Sequence, residues 1–141
     1  MRTLIKYLLF LALTLLFSCD KSGLLVKCPE CTVEEPTTAV LDIKIDALAR
    51  LNDMSTIVRI YSGNLEDNIL LRTSNVSDTY MKYTATINKK YTITATYITN
   101  DGSYIVVDST TPRVKYVTSQ CEEPCYFVYG RNVNLRLKYM K

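Results

Sequence analysis

The chain has 141 residues, of which 48% are hydrophobic, with 17 Lys and Arg against 14 Asp and Glu residues and a formal net charge of +3. This length suits one domain with a core of its own. Without Arg2 and Lys6, which precede a long apolar run, fifteen basic residues face fourteen acidic ones, a net charge of +1. The charge therefore gives no argument for nucleic-acid binding, and no such partner is expected.

The first nineteen residues have the pattern of an export signal. Arg2 and Lys6 precede an apolar run over residues 7–17, which is followed by Ser18 and Cys19. A basic start, an apolar stretch and a small residue before a cut site are typical of a secretory signal peptide. The apolar run is about half the length that spans a bilayer comfortably, so a permanent transmembrane anchor is the weaker interpretation.

The stretch Leu16-Phe17-Ser18-Cys19 resembles the lipobox of bacterial lipoproteins, here of the Bacteroidetes type. This resemblance implies a lipid on Cys19, removal of residues 1–18 and anchoring to the outer membrane through the lipid. Some lipoproteins of this type carry an acidic surface-export signal after the cysteine, but here Asp20 is followed by Lys21. Both the periplasmic and the surface face of that membrane stay open.

Residues 19–37 are predicted to form a tether, because Gly23, Pro29 and Pro36 interrupt any long periodic pattern. From residue 38 to 141, apolar and polar residues alternate in short runs, which predicts strands with one buried face. The predicted strands cover residues 41–45, 58–60, 69–71, 81–87, 91–97, 103–109, 114–118, 126–129 and 133–139. A hairpin through Gly130-Arg131-Asn132 is expected to join the last two. No helical period follows Cys19, so the sequence predicts an all-β fold, a single antiparallel β-sandwich.

Three segments carry a resemblance to the transthyretin-like and Cna-B-like modules of bacterial surfaces. They are VRIYSG at 58–63, YTATINKKYTITATY at 83–97 and VNLRLKY at 133–139. The resemblance implies an immunoglobulin-like sandwich over residues 38–141. The hydrolase branch of the transthyretin-like family depends on histidines, and this chain has none.

Four cysteines remain once Cys19 is set aside for lipid: Cys28 and Cys31 in CPEC, and Cys121 and Cys125 in CEEPC. In an exported domain they predict two disulfides with three possible connectivities, of which we favour pairing between the two clusters. Bridges within each cluster and a tetrahedral four-cysteine zinc site are the alternatives.

Enzymatic chemistry has little support in the sequence. The absence of histidine removes the commonest general base and every histidine-based triad. The polar run Asn64, Glu66, Asp67 and Asn68 lacks the spacing of a calcium loop and is interpreted as an ordinary turn. No catalytic residue and no cofactor are predicted.

Binding is the expected role instead. Among the eleven tyrosines, the alternation assigns Tyr83, Tyr91 and Tyr97 to the core and leaves Tyr104, Tyr126 and Tyr129 for the surface. The threonines at 84, 86, 92, 94 and 96 are expected to form a solvated face. Asp108-Ser109-Thr110 is similar to the short O-glycosylation motif of exported Bacteroidetes proteins, which makes Ser109 a candidate modification site.

The sequence therefore predicts a non-enzymatic lipoprotein of the cell envelope, anchored by the lipid on Cys19. Its partner is expected to be an envelope protein or a polysaccharide. The alternative is a periplasmic protein that binds a metal, or is linked through thiols, by Cys28, Cys31, Cys121 and Cys125.

Overall fold

The computed structural model describes residues 26–46, 56–99 and 102–137. In this part of the chain the strands are β1 Thr38–Lys44, β2 Thr56–Ser62, β3 Ile69–Val76, β4 Tyr80–Thr86, β5 Tyr91–Thr99, β6 Gly102–Thr110, β7 Arg113–Val117, β8 Cys125–Tyr129 and β9 Asn132–Asn134. Two short 3₁₀ turns, Cys28–Glu30 and Leu65–Asp67, are the helical elements of the described residues. The predicted all-β sandwich is confirmed.

Two sheets form the sandwich and a hairpin extends it. One sheet has the order β4-β1-β9, the other has the order β3-β2-β5-β6, and β7 pairs with β8 alone. Neighbouring strands run antiparallel except β1 and β9, which run parallel.

The core lies between the two sheets, where the inward side chains of each alternating strand meet. Its fully or nearly fully buried members include Leu41, Ile43, Ile45, Val58, Ile60, Tyr91, Ile93, Ala95, Tyr97, Val133 and Leu135. Full burial of a large aliphatic side chain stabilises a fold by about 1.5–3 kcal/mol. The period-two pattern that predicted the strands is therefore also the pattern that builds the core.

The predicted hairpin between the last two strands is wrong. β8 pairs with β7, while β9 crosses to the other sheet and pairs with β1, Ile43 opposite Val133. Gly130 has a φ of 69°, and a Cβ on it would lie 2.7 Å from the carbonyl oxygen of Thr111. The glycine thus permits a close backbone passage that sends the chain onward to β1, and the strand ends at Asn134 rather than near residue 139.

The threonine face is only partly solvated. Thr84 and Thr86 are exposed, but Thr92 and Thr94 keep 4% and 5% of their accessible surface. Both lie on the central strand β5, where Tyr61 and Arg59 of β2 stand opposite them on the same face. The longer neighbours cover the shorter threonines, and the Thr92 hydroxyl donates a 2.7 Å hydrogen bond to the carbonyl of Gly63.

Candidate functional site: the cysteine cluster

The four cysteines Cys28, Cys31, Cys121 and Cys125, called the cysteine cluster below, lie close together beside the β7–β8 hairpin. Cys28 is disulfide-bonded to Cys121 and Cys31 to Cys125, with Cα–Cα distances of 5.6 and 5.5 Å. Those distances are typical of disulfides. Each bridge joins a cysteine of the CPEC segment to one of the CEEPC segment, as favoured from the sequence, so the two bridges fasten the tether to the β7–β8 hairpin.

The local sequence explains why CPEC presents both cysteines to the same opposing segment, residues 121–125. Pro29 lies in the first turn of the 3₁₀ element, where its missing N–H is not needed. The N–H of Cys31 donates to the carbonyl of Cys28 at 3.1 Å, which closes the turn and places the two cysteines side by side. On the other segment, Cys121 lies in the loop after β7 and Cys125 begins β8.

Backbone pairing continues the attachment just beyond the cysteines. Thr32 and Tyr126 exchange two backbone hydrogen bonds of 3.0 and 2.8 Å, so the tether adds a single bridge beside β8. The Thr32 hydroxyl donates to the carbonyl of Glu34 at 2.8 Å, which shapes the chain as it leaves the bridge. The tether is therefore held by main-chain contacts as well as by sulfur.

An exposed ion pair lies beside the cluster. Glu30 pairs with Arg131 and, at 3.4 Å, with the ammonium of Lys27. The hydrogen bond from Lys27 is the largest cause that lowers the pKa of the Glu30 carboxyl, and Arg131 acts in the same direction. Since exposed pairs contribute little to stability, this trio orients the turn more than it stabilises the fold.

A small core of its own lies beneath the cluster. Val117, Cys125 and Phe127 are buried there, and Val26, Cys31, Cys121 and Tyr129 pack against them. Above the hairpin, the rings of Tyr116 and Tyr126 lie 4.9 Å apart in a tilted arrangement. The disulfides therefore cross-link a packed unit.

The sulfur atoms are also close enough to act together on a metal ion. The Sγ atoms of Cys31, Cys121 and Cys125 lie within 4.8 Å of one another, and Cys28 is bonded to Cys121. Four thiolates in tetrahedral array are the donor set of a structural zinc site. A cleft of about 500 Å³ opens beside them, lined by Cys28, Cys31, Thr32, Val33 and residues 120–125. The same cluster could thus hold zinc in a reduced protein.

Other predicted site residues fall elsewhere. Cys19 lies outside the described residues, so its lipidation stays a prediction. Ser109 is exposed near the end of β6, and its N–H donates to Asp108 at 2.8 Å. In the polar turn, Asn64 donates its N–H to the Asp67 carboxylate and accepts a hydrogen bond from the Lys90 ammonium, which fits a turn better than a cation site.

The surface differs from the prediction at several aromatic and apolar residues. Tyr91 and Tyr97 are buried as expected, Tyr83 is half-buried and Tyr104 is exposed, but Tyr126 and Tyr129 are half-buried. Tyr80 and Tyr116, which the alternation did not single out, are 62% and 53% exposed. So are apolar residues on both edges of the larger sheet, namely Ile69, Leu70, Leu71, Ile105 and Val107. The runs at 69–71 and 104–107 are continuously apolar, a pattern that by itself does not distinguish an exposed edge from a buried strand.

Comparison with known proteins leaves the chain without an assigned family. No protein-family model, no curated protein and no solved structure matches it. The resemblance to the transthyretin-like and Cna-B-like modules thus stays a prediction from strand pattern. Among the described residues, no helix has the length and apolar character needed to cross a membrane.

Proposed function

We propose that this chain is a lipid-anchored β-sandwich lipoprotein of the cell envelope, which binds or assembles with another envelope component and catalyses no reaction. Support begins at the lipobox-like residues Leu16, Ser18 and Cys19. The single observation that carries the proposal is the covalent attachment of the tether to the domain, through Cys28–Cys121 and Cys31–Cys125. Disulfides persist in oxidising compartments outside the cytoplasm, where such an anchor would act.

The cross-links would keep the domain near its anchor. Only eight residues separate Cys19 from Cys28, and an extended chain reaches at most about 3.3–3.6 Å per residue. A lipid on Cys19 would therefore hold the cross-linked end of the sandwich within roughly 30 Å of the bilayer surface. This geometry suits a protein that meets its partner close to the membrane.

The anchor is tested by Cys19→Ala in the native host, followed by membrane fractionation and labelling with an alkyne fatty acid. We expect the wild type to carry label and sediment with membranes, and the variant to lose both properties. The matched control is Cys28→Ala/Cys121→Ala, which also removes cysteines but leaves Cys19, and which should remain labelled and membrane-bound. Sedimentation of the Cys19→Ala variant with membranes, together with a wild type that carries no label, would refute the lipoprotein assignment.

A second candidate function is metal binding by the cysteine cluster, favoured by the mutual approach of Cys31, Cys121 and Cys125 to within 4.8 Å. Thiol titration of denatured protein, purified without reductant and paired with metal analysis, separates the two candidates. With Cys19 lipidated, the disulfide form has no free thiols, whereas the metal form has four and one equivalent of zinc. Four thiols with bound zinc would replace the disulfide assignment.

A further inference from the structure

The strand β6 is an edge with little protection over its first six residues. It pairs with β5 on one side only. Gly102–Val107 contains no charged residue and no proline, and Ile105 and Val107 are 65% and 49% exposed. Natural proteins usually guard such edges with lysine, proline, a bulge or a covering segment, because an open edge recruits another strand.

The other edges of the described sheets carry the usual guards. In β3, Arg72 lies beside a register shift against β2. Strand β4 carries the exposed Lys82, β7 carries Arg113 and Lys115, and β9 is three residues long. The free side of β8 is covered by Thr32, which pairs with Tyr126. The first part of β6 is therefore exceptional among the strand edges of the described residues.

The hydrogen bonds at the end of β6 show which backbone groups face outward. The N–H of Ser109 donates to the Asp108 carboxylate at 2.8 Å, so it points away from β5. Alternate residues of a strand direct their N–H and C=O groups to the same side. Ser103, Ile105 and Val107 thus present theirs outward, and the described part of the chain supplies no backbone partner for them on that side.

Within the described residues, hydrogen bonds close this edge at the end formed by residues 108–110. The second Asp108 oxygen accepts the N–H of Asn134 at 2.8 Å, and the Thr110 hydroxyl donates to the carbonyl of Gly130 at 2.6 Å. These bonds join the far end of β6 to the β9 segment. Extended chain can therefore be added only along Gly102–Val107.

A cleft of about 460 Å³ borders the open part of this edge, lined by residues 105–108, Asn134, Arg136 and Leu137. Its apolar lining is formed by residues 105–107 and Leu137, of which Val106 and Leu137 pack against the core. Its charged groups are Asp108, already bonded to two backbone N–H groups, and Arg136. Arg136 donates to the Asn134 side chain at 3.2 Å and forms no ion pair with a described acidic residue.

We propose that Gly102–Val107 is a docking edge for one extended segment of a partner protein, which joins the four-stranded sheet as a fifth strand next to β6. The segment carries apolar residues at alternate positions, against Ile105 and Val107, and an Asp or Glu that pairs with Arg136. Main-chain bonds give such an interface its affinity and alternate side chains give it selectivity. This inference rests on the proposed binding function and names its surface and its class of partner.

A second copy of this chain suits the edge less well. Pairing of two β6 edges would bring uncharged residues together, since Gly102–Val107 contains no carboxylate. The nearest one, on Asp108, is already occupied by Ser109 and Asn134. The charge at Arg136 therefore favours a partner with an acidic residue of its own.

The test uses the full chain in detergent and a phage-displayed library of random nine-residue peptides as the probe. We expect enrichment of peptides with alternating apolar residues and one carboxylate, whose affinities are then measured by fluorescence anisotropy. Ile105→Pro removes one outward N–H at a position that β5 does not use, and should weaken binding roughly tenfold or more. The matched variant Ile105→Thr keeps that donor and should weaken binding only a few-fold, roughly by the lost apolar contact.

Two further measurements protect the result against misfolding of the proline variant. Methylation of the peptide amides that would pair with β6 should abolish binding to the unaltered protein. Arg136→Gln should weaken the binding of carboxylate peptides a few-fold and leave the binding of their amide analogues unchanged, as expected for an exposed ion pair. If neither the amide methylation nor Arg136→Gln changed the affinity, the enriched peptides would bind elsewhere on the protein.

The docking edge would be overturned by the absence of enriched peptides, by equal binding to wild type and Ile105→Pro, or by a wild-type dimer in sedimentation that Ile105→Pro abolishes. An envelope partner captured equally by wild type and Ile105→Pro would also overturn it, yet would leave the proposed anchored binding function intact. Failure of lipidation at Cys19 would remove that function and leave peptide binding unaffected.

Discussion

At the scale of single residues, the Tyr97 hydroxyl joins the two layers at the edge of the core. It donates to the carbonyl of Leu135 at 2.8 Å and accepts the N–H of Asp46 at 2.9 Å. Asp46 follows β1 and Leu135 follows β9. This one oxygen therefore bonds to backbone groups just beyond two strands of the β4-β1-β9 sheet. The burial of the Tyr97 ring was predictable from the alternation in β5. The hydrogen bonds of its hydroxyl depend on where β1 and β9 end, and these strands are distant from β5 in the sequence.

Tyr97→Phe should lower the free energy of unfolding by about 1–3 kcal/mol, because it leaves a buried carbonyl and a part-buried N–H without their partner. Urea denaturation followed by circular dichroism measures the change. Tyr104→Phe is the matched control, since Tyr104 lies opposite Tyr97 in β6 and is 44% exposed. Equal stabilities of the two variants would show that the Tyr97 bonds contribute nothing.

The same residue gives the fold an alkaline limit. Burial raises the pKa of the Tyr97 hydroxyl above its ordinary value of 10.0, although the hydrogen bond from Asp46 opposes this. A raised pKa in the folded state means that the contribution is fully present below pH 10 and is lost as the pH rises through the folded value. As the pH rises above 10, Tyr97→Phe should therefore lose less free energy of unfolding than the wild type does. Burial also raises the pKa of Tyr83, so the difference between the two proteins is the quantity to measure.

At the scale of elements, the sequence predicted strand position well and strand partners poorly. The period of two locates β1, β2, β4, β5 and β6 because their inward residues must be apolar whichever strand lies beside them. Partner choice depends on contacts distant in sequence. The Gly130 turn looked like a hairpin, yet the chain passes the Thr111 carbonyl and pairs with β1.

Exposure within an element was predictable only when its neighbours were known. Thr92 and Thr94 look like residues of a wet face, but their positions beside Tyr61 and Arg59 bury them. The opposite holds for β3, an edge strand in which the apolar run at 69–71 is exposed. Side-chain chemistry alone does not contain this information, since exposure depends on which strands lie beside each residue.

At the scale of the whole molecule, the two disulfides connect the first described residues to the hairpin near the end of the chain. The cysteines themselves were evident from the sequence, because two pairs of closely spaced cysteines are typical of a disulfide framework or a zinc site. Their connectivity was one of three possibilities and is decided by the approach of the CPEC turn to β8. The bridges span separations of 93 and 94 residues, so each closes almost the same large loop.

This near-identity predicts that the two bridges act non-additively on stability. On the chain-entropy relation, either bridge alone closes a loop of about ninety residues, which stabilises the fold by roughly 4–5 kcal/mol. Once one is present, the other closes only a small ring of roughly eight residues, worth about 2–3 kcal/mol. Removal of one pair, as Cys28→Ala/Cys121→Ala or Cys31→Ala/Cys125→Ala, should therefore cost about 2–3 kcal/mol, and removal of both about 7 kcal/mol.

Guanidinium denaturation of the two single-bridge variants and the bridge-free variant measures these values under one set of conditions. The loss in the bridge-free variant should exceed the sum of the two separate losses, because only that variant releases the large loop in the unfolded state. Cys125 is buried among Val117 and Phe127 whereas Cys28 is exposed, so the Cys31–Cys125 variant should also lose some packing energy. Strictly additive losses would contradict the shared-loop account, and would mean that each bridge stabilises the protein mainly through contacts in the folded state.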